Sequence, residues 1–244
     1  MQASLDKYGI VNDRAWLLVT HSGLAMTQRE FPAMALIVPK VDEAGALSLT
    51  APGIVPIMLP RTINGASIKV RVWSDECVAV DQGEDAAQWL SRAIGKDCRL
   101  VVMDENFDRP VDPEYATNAQ QVGFADGFPF LLISEGSLAD LNTKLEFPLP
   151  MNRFRPNIVV SGAEAFAEDE WRSIRIGSVL FDVVKPCSRC VMTSIDQEDG
   201  VLGREPLRTL AAYRKFGNKL LFGQNLVHNN TGSISVGDTV EIIA

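Results

Sequence analysis

The stretch Val179-Leu-Phe-Asp-Val-Val-Lys-Pro-Cys-Ser-Arg-Cys-Val-Met-Thr-Ser-Ile195 carries two cysteines, Cys187 and Cys190, between two β-branched runs. Both runs, Val179–Val184 and Cys190–Ile195, read as strands, which places the pair on a strand-edge loop. Working outward, similar short runs occur at Arg14–Thr20, Ala33–Val38, Ala46–Thr50, Ser67–Trp73, Glu76–Asp81, Arg99–Met103 and Asn157–Ser161. The closing pair, Ser233–Val236 and Thr239–Ile243, meets at Gly237-Asp238 and predicts a hairpin. Three helices interrupt the pattern: Glu84–Ile94, Ser137–Leu145 opened by a Ser137-x-x-Asp140 capping box, and Pro206–Phe216.

So many closely spaced strands predict an α+β, predominantly β protein. The expected form is a β-barrel with a smaller N-terminal β domain and a few short helices. The polar segment Asp104–Gln121, with Pro110 and Pro113, lacks apolar periodicity and is the expected connection. The predicted domains are therefore 1–105 and 106–244.

The formal net charge of −8 gives no general attraction to nucleic acid or to an anionic membrane surface. The N-terminus lacks the pattern of a signal peptide, and no apolar run approaches the roughly 20 residues of a membrane span. A cytoplasmic location is expected.

The cysteine pair admits several chemistries. Structural zinc draws four ligands, commonly from two pairs, and here His21 and His228 do not follow ligand spacing. A thioredoxin-type pair belongs at a helix N-terminus, whereas both flanks here read as strands. A thiolate held by Lys185 and Arg189 would be a soft donor for a thiophilic metal, and two ordinary buried thiols are the alternative.

Four polar strings also precede apolar runs: Asp13-Arg14-Ala15-Trp16, Asn152-Arg-Phe-Arg-Pro-Asn157, Phe124-Ala-Asp-Gly-Phe-Pro129 and Phe222-Gly-Gln-Asn225. A barrel would display them on one rim, where Arg14, Arg155 and Arg189 would converge as phosphate donors beside Asn157. Taken singly, each reads as a surface ion pair or a turn.

Taken together, Gly9–Trp16, Phe154–Gly162, Gly177–Cys190 and Phe222–Asn225 resemble the MOSC-domain family. The likeness runs over nearly the whole chain and in order: a MOSC N-terminal β-barrel domain, then the MOSC domain. Bacterial and amidoxime-reducing members are nearest in pattern.

The resemblance implies an enzyme carrying the molybdenum cofactor (Mo-molybdopterin), in which one protein cysteine ligates the metal beside the pyranopterin dithiolene. The implied ligand is Cys190, while Cys187 matches a position that does not ligate. Ser188 and Arg189 match residues lining the cofactor, and Arg14, Arg155 and Asn157 match residues gripping the pterin and its phosphate. Asp126, followed by Gly127 and Phe128, matches a loop beside the metal whose carboxylate assists proton delivery.

The implied activity is reduction of N-hydroxylated compounds to amines or amidines. The alternative is a non-catalytic sulfur-carrier or pterin-binding module. Family members begin with a strand whose Lys and Ser hold phosphate. Nothing before Gly9 matches that segment, so a first strand is expected to be missing. Some relatives carry an iron–sulfur domain that needs four more cysteines, and this chain stops at Ala244. The expected electron donor is therefore a separate ferredoxin or flavin reductase.

Overall fold

The computed structural model describes residues 2–62, 64–116 and 120–244. The chain first forms β1 (Gln2–Asp6), β2 (Gly9–Ile10), β3 (Trp16–Val19), β4 (Val38–Val41), β5 (Leu47–Ala51) and β6 (Ile54–Leu59). Next come β7 (Ser67–Val72), β8 (Asp75–Asp81), helix α1 (Glu84–Ile94) and β9 (Arg99–Val102). They are followed by β10 (Phe130–Ser134), α2 (Glu135–Asn142), β11 (Ile158–Val160), β12 (Ser173–Ile176) and β13 (Val179–Ser188). The last elements are α3 (Leu207–Tyr213), β14 (Lys215–Phe216), β15 (Lys219–His228), β16 (Gly232–Ser235) and β17 (Val240–Ile242). The fold is α+β and predominantly β, with a nearly closed, barrel-like sheet.

Two compact units result, and neither is continuous in sequence. The first takes residues 1–11, 110–194 and 203–244; the second takes 12–109 and 195–202. The predicted connector contains the crossing between Arg109 and Pro110, and its residues 117–119 lie outside the described residues. A strand joins whichever edge satisfies its backbone groups, however distant in the chain. Thus β1 pairs antiparallel with β16, Gln2 facing Ser235, and also with β2.

In the second unit, β3-β9-β8-β7 form one sheet and β4-β5-β6 another. Leu47, Leu49 and Leu59 pack with Trp89 and Leu90 of α1. The helix keeps its predicted bounds because Ala87 and Leu90 share a buried face and Gly95, at φ 73°, closes it in the left-handed region. Burial pushes the Asp81 carboxyl up, but Arg99 and the Gly83 N–H hold it below its ordinary value. The strand predicted over Ala33–Val38 is instead a 3-10 turn, Pro32–Leu36, followed by β4. Pro32 fixes a helical φ at the first position and starts the turn.

In the first unit, the main sheet runs β11-β10-β15-β13-β12-β17, with β14 on β15. Alternation in β10 buries both faces: Phe130 and Leu132 join Trp171, Ile174, Phe181 and Leu226, while Ile133 joins Leu141, Phe154, Leu210 and Phe222. β10 and β11 are parallel, with α2 in the crossover.

The predicted cap of α2 is corrected by three residues. Ser134, still extended at φ −84° and ψ 149°, accepts from the Ser137 N–H, so Ser137 is inside the helix. α3 is shorter than predicted because Lys215 and Phe216 leave it to pair with β15. The closing hairpin does not form either: β16 pairs with β1 and β17 pairs with β12, so the Gly237-Asp238 turn joins strands of different sheets.

Candidate active site

The site grows from the pairing of β13 with β15, which carries two irregularities. Val183 and Lys185 face Leu226 and Asn225, giving β13 an extra residue; Pro186 and Ser188 face Gln224 and Leu221, giving β15 one. Such bulges bend a strand and re-aim its side chains. The second bulge lies opposite Cys187 and contains Gly223 at φ 80°. A Cβ there would stand 2.6 Å from Ile133 Cγ1 and 2.8 Å from the Leu132 carbonyl oxygen.

Past β13, the Arg189 N–H donates to the Leu220 carbonyl at 2.7 Å. The Cys190 carbonyl then accepts from the Thr193 N–H at 3.1 Å and its Oγ1 at 2.9 Å. These bonds close a 3-10 turn, Val191–Ser194, where a strand over Cys190–Ile195 was predicted. The turn leaves Cys190 partly exposed and Ser188 exposed. Arg189 is fixed between two acceptors: Nη1 donates to Cys187 Sγ at 2.9 Å and Nη2 to the Phe154 carbonyl at 2.6 Å. Its guanidinium carbon lies 5.5 Å from the Phe154 ring centroid, and that ring packs on Phe222 with centroids 4.5 Å apart.

The 3-10 turn Met151–Phe154 packs against Val191–Ser194, bringing Arg155 to the same neighbourhood. Arg155 closes that turn in the left-handed region at φ 57° and is exposed, whereas Arg153 is buried. Asn157 is a brace: Oδ1 accepts from the Leu131 N–H at 2.9 Å, and Nδ2 donates to the Pro129 carbonyl at 2.8 Å. It thereby ties down the loop that carries an exposed Asp126 and the half-buried Gly127 and Phe128. Lys185 Nζ lies 4.2 Å from the Tyr115 ring centroid and 5.8 Å from that of Phe128.

Ser188, Arg189, Cys190, Arg155 and the braced Asp126 loop thus all belong to the first unit. Arg14 belongs to the second unit, where it has a left-handed backbone at φ 52° and is ion-paired with Asp13.

Two features had no signal in the sequence. Tyr115 lies in an apparently structureless polar segment, yet its ring receives Lys185. Asp169 joins Arg214 Nη2 and Gln224 Nε2, each at 2.6 Å, and so anchors the bulged part of β15.

The donors present suit an anionic cofactor whose metal takes one soft protein ligand. The half-buried Cys190 offers a sulfur, with the Arg155 and Arg189 cations and the Ser188 hydroxyl in the same unit. Among the described residues, no group of three or more His, Cys, Asp or Glu could form a protein cage for a metal.

A predominantly β molecule with this cysteine turn at a bulged strand end is a MOSC protein, and the chain belongs to that family. Residues 119–241 match the MOSC domain, and residues 1–97 match the MOSC N-terminal beta barrel domain. Mitochondrial amidoxime-reducing component 1 of Homo sapiens is 38% identical to it over 252 residues, covering 96% of this chain and 74% of that protein. The Mus musculus protein of the same name is 37% identical, covering 97% and 74%. Molybdenum cofactor sulfurase of Bos taurus is 30% identical, covering 93% of this chain but 28% of that protein.

The expected cytoplasmic location is overturned by these relatives, since those matched along most of their length are mitochondrial by name. Among the described residues, no helix is long and apolar enough to cross a membrane.

Proposed function

We propose that the chain is a molybdenum-cofactor-dependent oxidoreductase that reduces N-hydroxylated compounds to amines or amidines, with Cys190 as the protein ligand to the metal. The observation carrying this reading is the half-buried Cys190, set on a turn fixed by the Arg189–Leu220 and Thr193–Cys190 hydrogen bonds. Similarity to amidoxime-reducing components along most of both chains supports the substrate class. Bound there, the cofactor would supply two-electron chemistry at the N–O bond.

The chain's own residues do the rest. Arg155, Ser188 and Arg189 hold the anionic cofactor through charge and hydrogen bonds, and Arg189 also fixes the turn by its bond to the Phe154 carbonyl. Asn157 serves indirectly, by holding the Pro129 carbonyl and with it the Gly127–Phe128 loop. Asp126, on that loop and exposed, is the carboxyl that relays a proton towards the departing oxygen. Electrons come from a separate donor, a ferredoxin or a flavin reductase.

The test is metal content after production in a host that makes the cofactor. The parent should carry about one molybdenum per chain, and Cys190→Ala should lose it. Equal metal in the parent and Cys190→Ala overturns the ligand assignment. The similarity to molybdenum cofactor sulfurase favours a second reading, a sulfur carrier with a persulfide on Cys190. It requires a metal-free protein that releases sulfur to a thiol reductant, which the same preparations reveal.

A further inference from the structure

Lys185 sits beside the first bulge of β13, two residues before Cys187. In a chain of net charge −8, it is ion-paired with no carboxylate among the described residues. Its ammonium instead lies near two aromatic rings, Tyr115 at 4.2 Å and Phe128 at 5.8 Å. The rings meet edge to face, with centroids 5.7 Å apart and planes at 76°. A cation within about 6 Å of a ring centroid is drawn to the negative face of the ring.

Beneath them lies an apolar pad. Val111, Val122, Ala125 and Val227 form it, with Phe128 and Val184 packed against it. Ala125 and Phe128 are thus both anchored, and the exposed Asp126 and the half-buried Gly127 are carried between them. On the far side, Asn157 holds the Pro129 carbonyl. Gly127 has no packing neighbour where a Cβ would stand.

We propose that Lys185 is a positioning residue, a latch that holds the Asp126 loop against the cysteine-bearing strand through the ring faces of Tyr115 and Phe128. The role rests on the reading of Asp126 given above. Lys185 does not touch the reacting groups in this scheme; it sets where the Asp126 side chain stands.

The test uses the full chain with Lys185→Met, Lys185→Arg, Asp126→Asn and the Lys185→Met/Asp126→Asn pair. Hydrogen exchange of the amides of 121–128 is measured first, and it needs no loaded metal. Lys185→Met should speed exchange there by about tenfold, and Lys185→Arg should leave it near the parent value. In loaded protein, Lys185→Met should lower kcat by about tenfold or more, with KM and molybdenum content unchanged. In the Asp126→Asn background, the same substitution should cost nothing further.

Unchanged exchange, loss of metal from Lys185→Met, or additive losses in the pair would each overturn the latch. If loop exchange speeds as expected while no preparation reduces an N-hydroxylated compound, the latch stands and the proposed activity is withdrawn.

Discussion

The guanidinium of Arg189 spans Cys187 and Phe154, donating to the sulfur of one at 2.9 Å and the carbonyl oxygen of the other at 2.6 Å. One side chain thus ties the end of β13 to the turn that ends in Arg155. Cys187, which the family resemblance marks as not ligating, has a part in the architecture: it accepts a charge-assisted bond that keeps Arg189 in place.

Arg189→Lys should break that bridge. A lysine is a single point donor and cannot reproduce a fork spanning two acceptors. Urea unfolding should show a loss of about 1–3 kcal/mol, since charge-assisted bonds are roughly twice as strong as neutral ones. Molybdenum content should fall with it, and a variant with parental stability and metal content would show the bridge to be dispensable.

Gly223→Ala tests the bulge opposite Cys187. The backbone there is left-handed, and the added Cβ would meet Ile133 Cγ1 at 2.6 Å and Leu132 O at 2.8 Å. Conformational strain and overpacking together should cost about 2–5 kcal/mol in chemical denaturation. A parental midpoint would mean that β15 can straighten without harm.

Asn157→Ala should leave the Leu131 N–H and the Pro129 carbonyl without their side-chain partner. The expected loss is about 1–3 kcal/mol of stability, with faster proteolysis within residues 121–129. If binding to the cofactor were the sole task of Asn157, metal content would fall while stability of the metal-free protein held.

His228 gives stability a pH dependence. Burial pushes its pKa below the ordinary 6.5, against the upward pull of the hydrogen bond to the Asp6 carbonyl and of the Asp6 charge. The unfolded chain therefore binds the proton more tightly than the folded one. The contribution of a neutral His228 is complete above about pH 6.5 and is lost as pH falls towards the lowered folded value. Unfolding free energies measured from pH 7.5 down to pH 5 should decline, and His228→Gln should flatten that decline. An unchanged slope in the variant would assign the acid sensitivity to other groups.

Local patterns were legible where local physics governs them. α1 follows from Ala87 and Leu90 recurring on one face with a glycine at the C-terminal end, and its bounds stand as predicted. Cys190 was marked out from Cys187 only by the family resemblance, since the spacing of the pair left its chemistry open, and the structure leaves the residue half-buried. The long central strand β15 was not read, because it is buried on both faces and lacks clean alternation beyond the short motif Phe222–Asn225. Its length follows from having partners on both edges, β10 and β13.

Sequence alone determined the strand-rich composition, the bounds of α1 and the presence of a cysteine pair beside cations, since these depend on residue type and on spacing within a few residues. Only the tertiary structure decided that Gln2–Asp6 would lie beside Gly232–Ser235, that Asn157 would spend its amide on the backbone, and that Lys185 would find Tyr115. Those outcomes are choices among distant partners, and a hydrogen bond or a ring contact has no preference for where in the chain its other half is encoded.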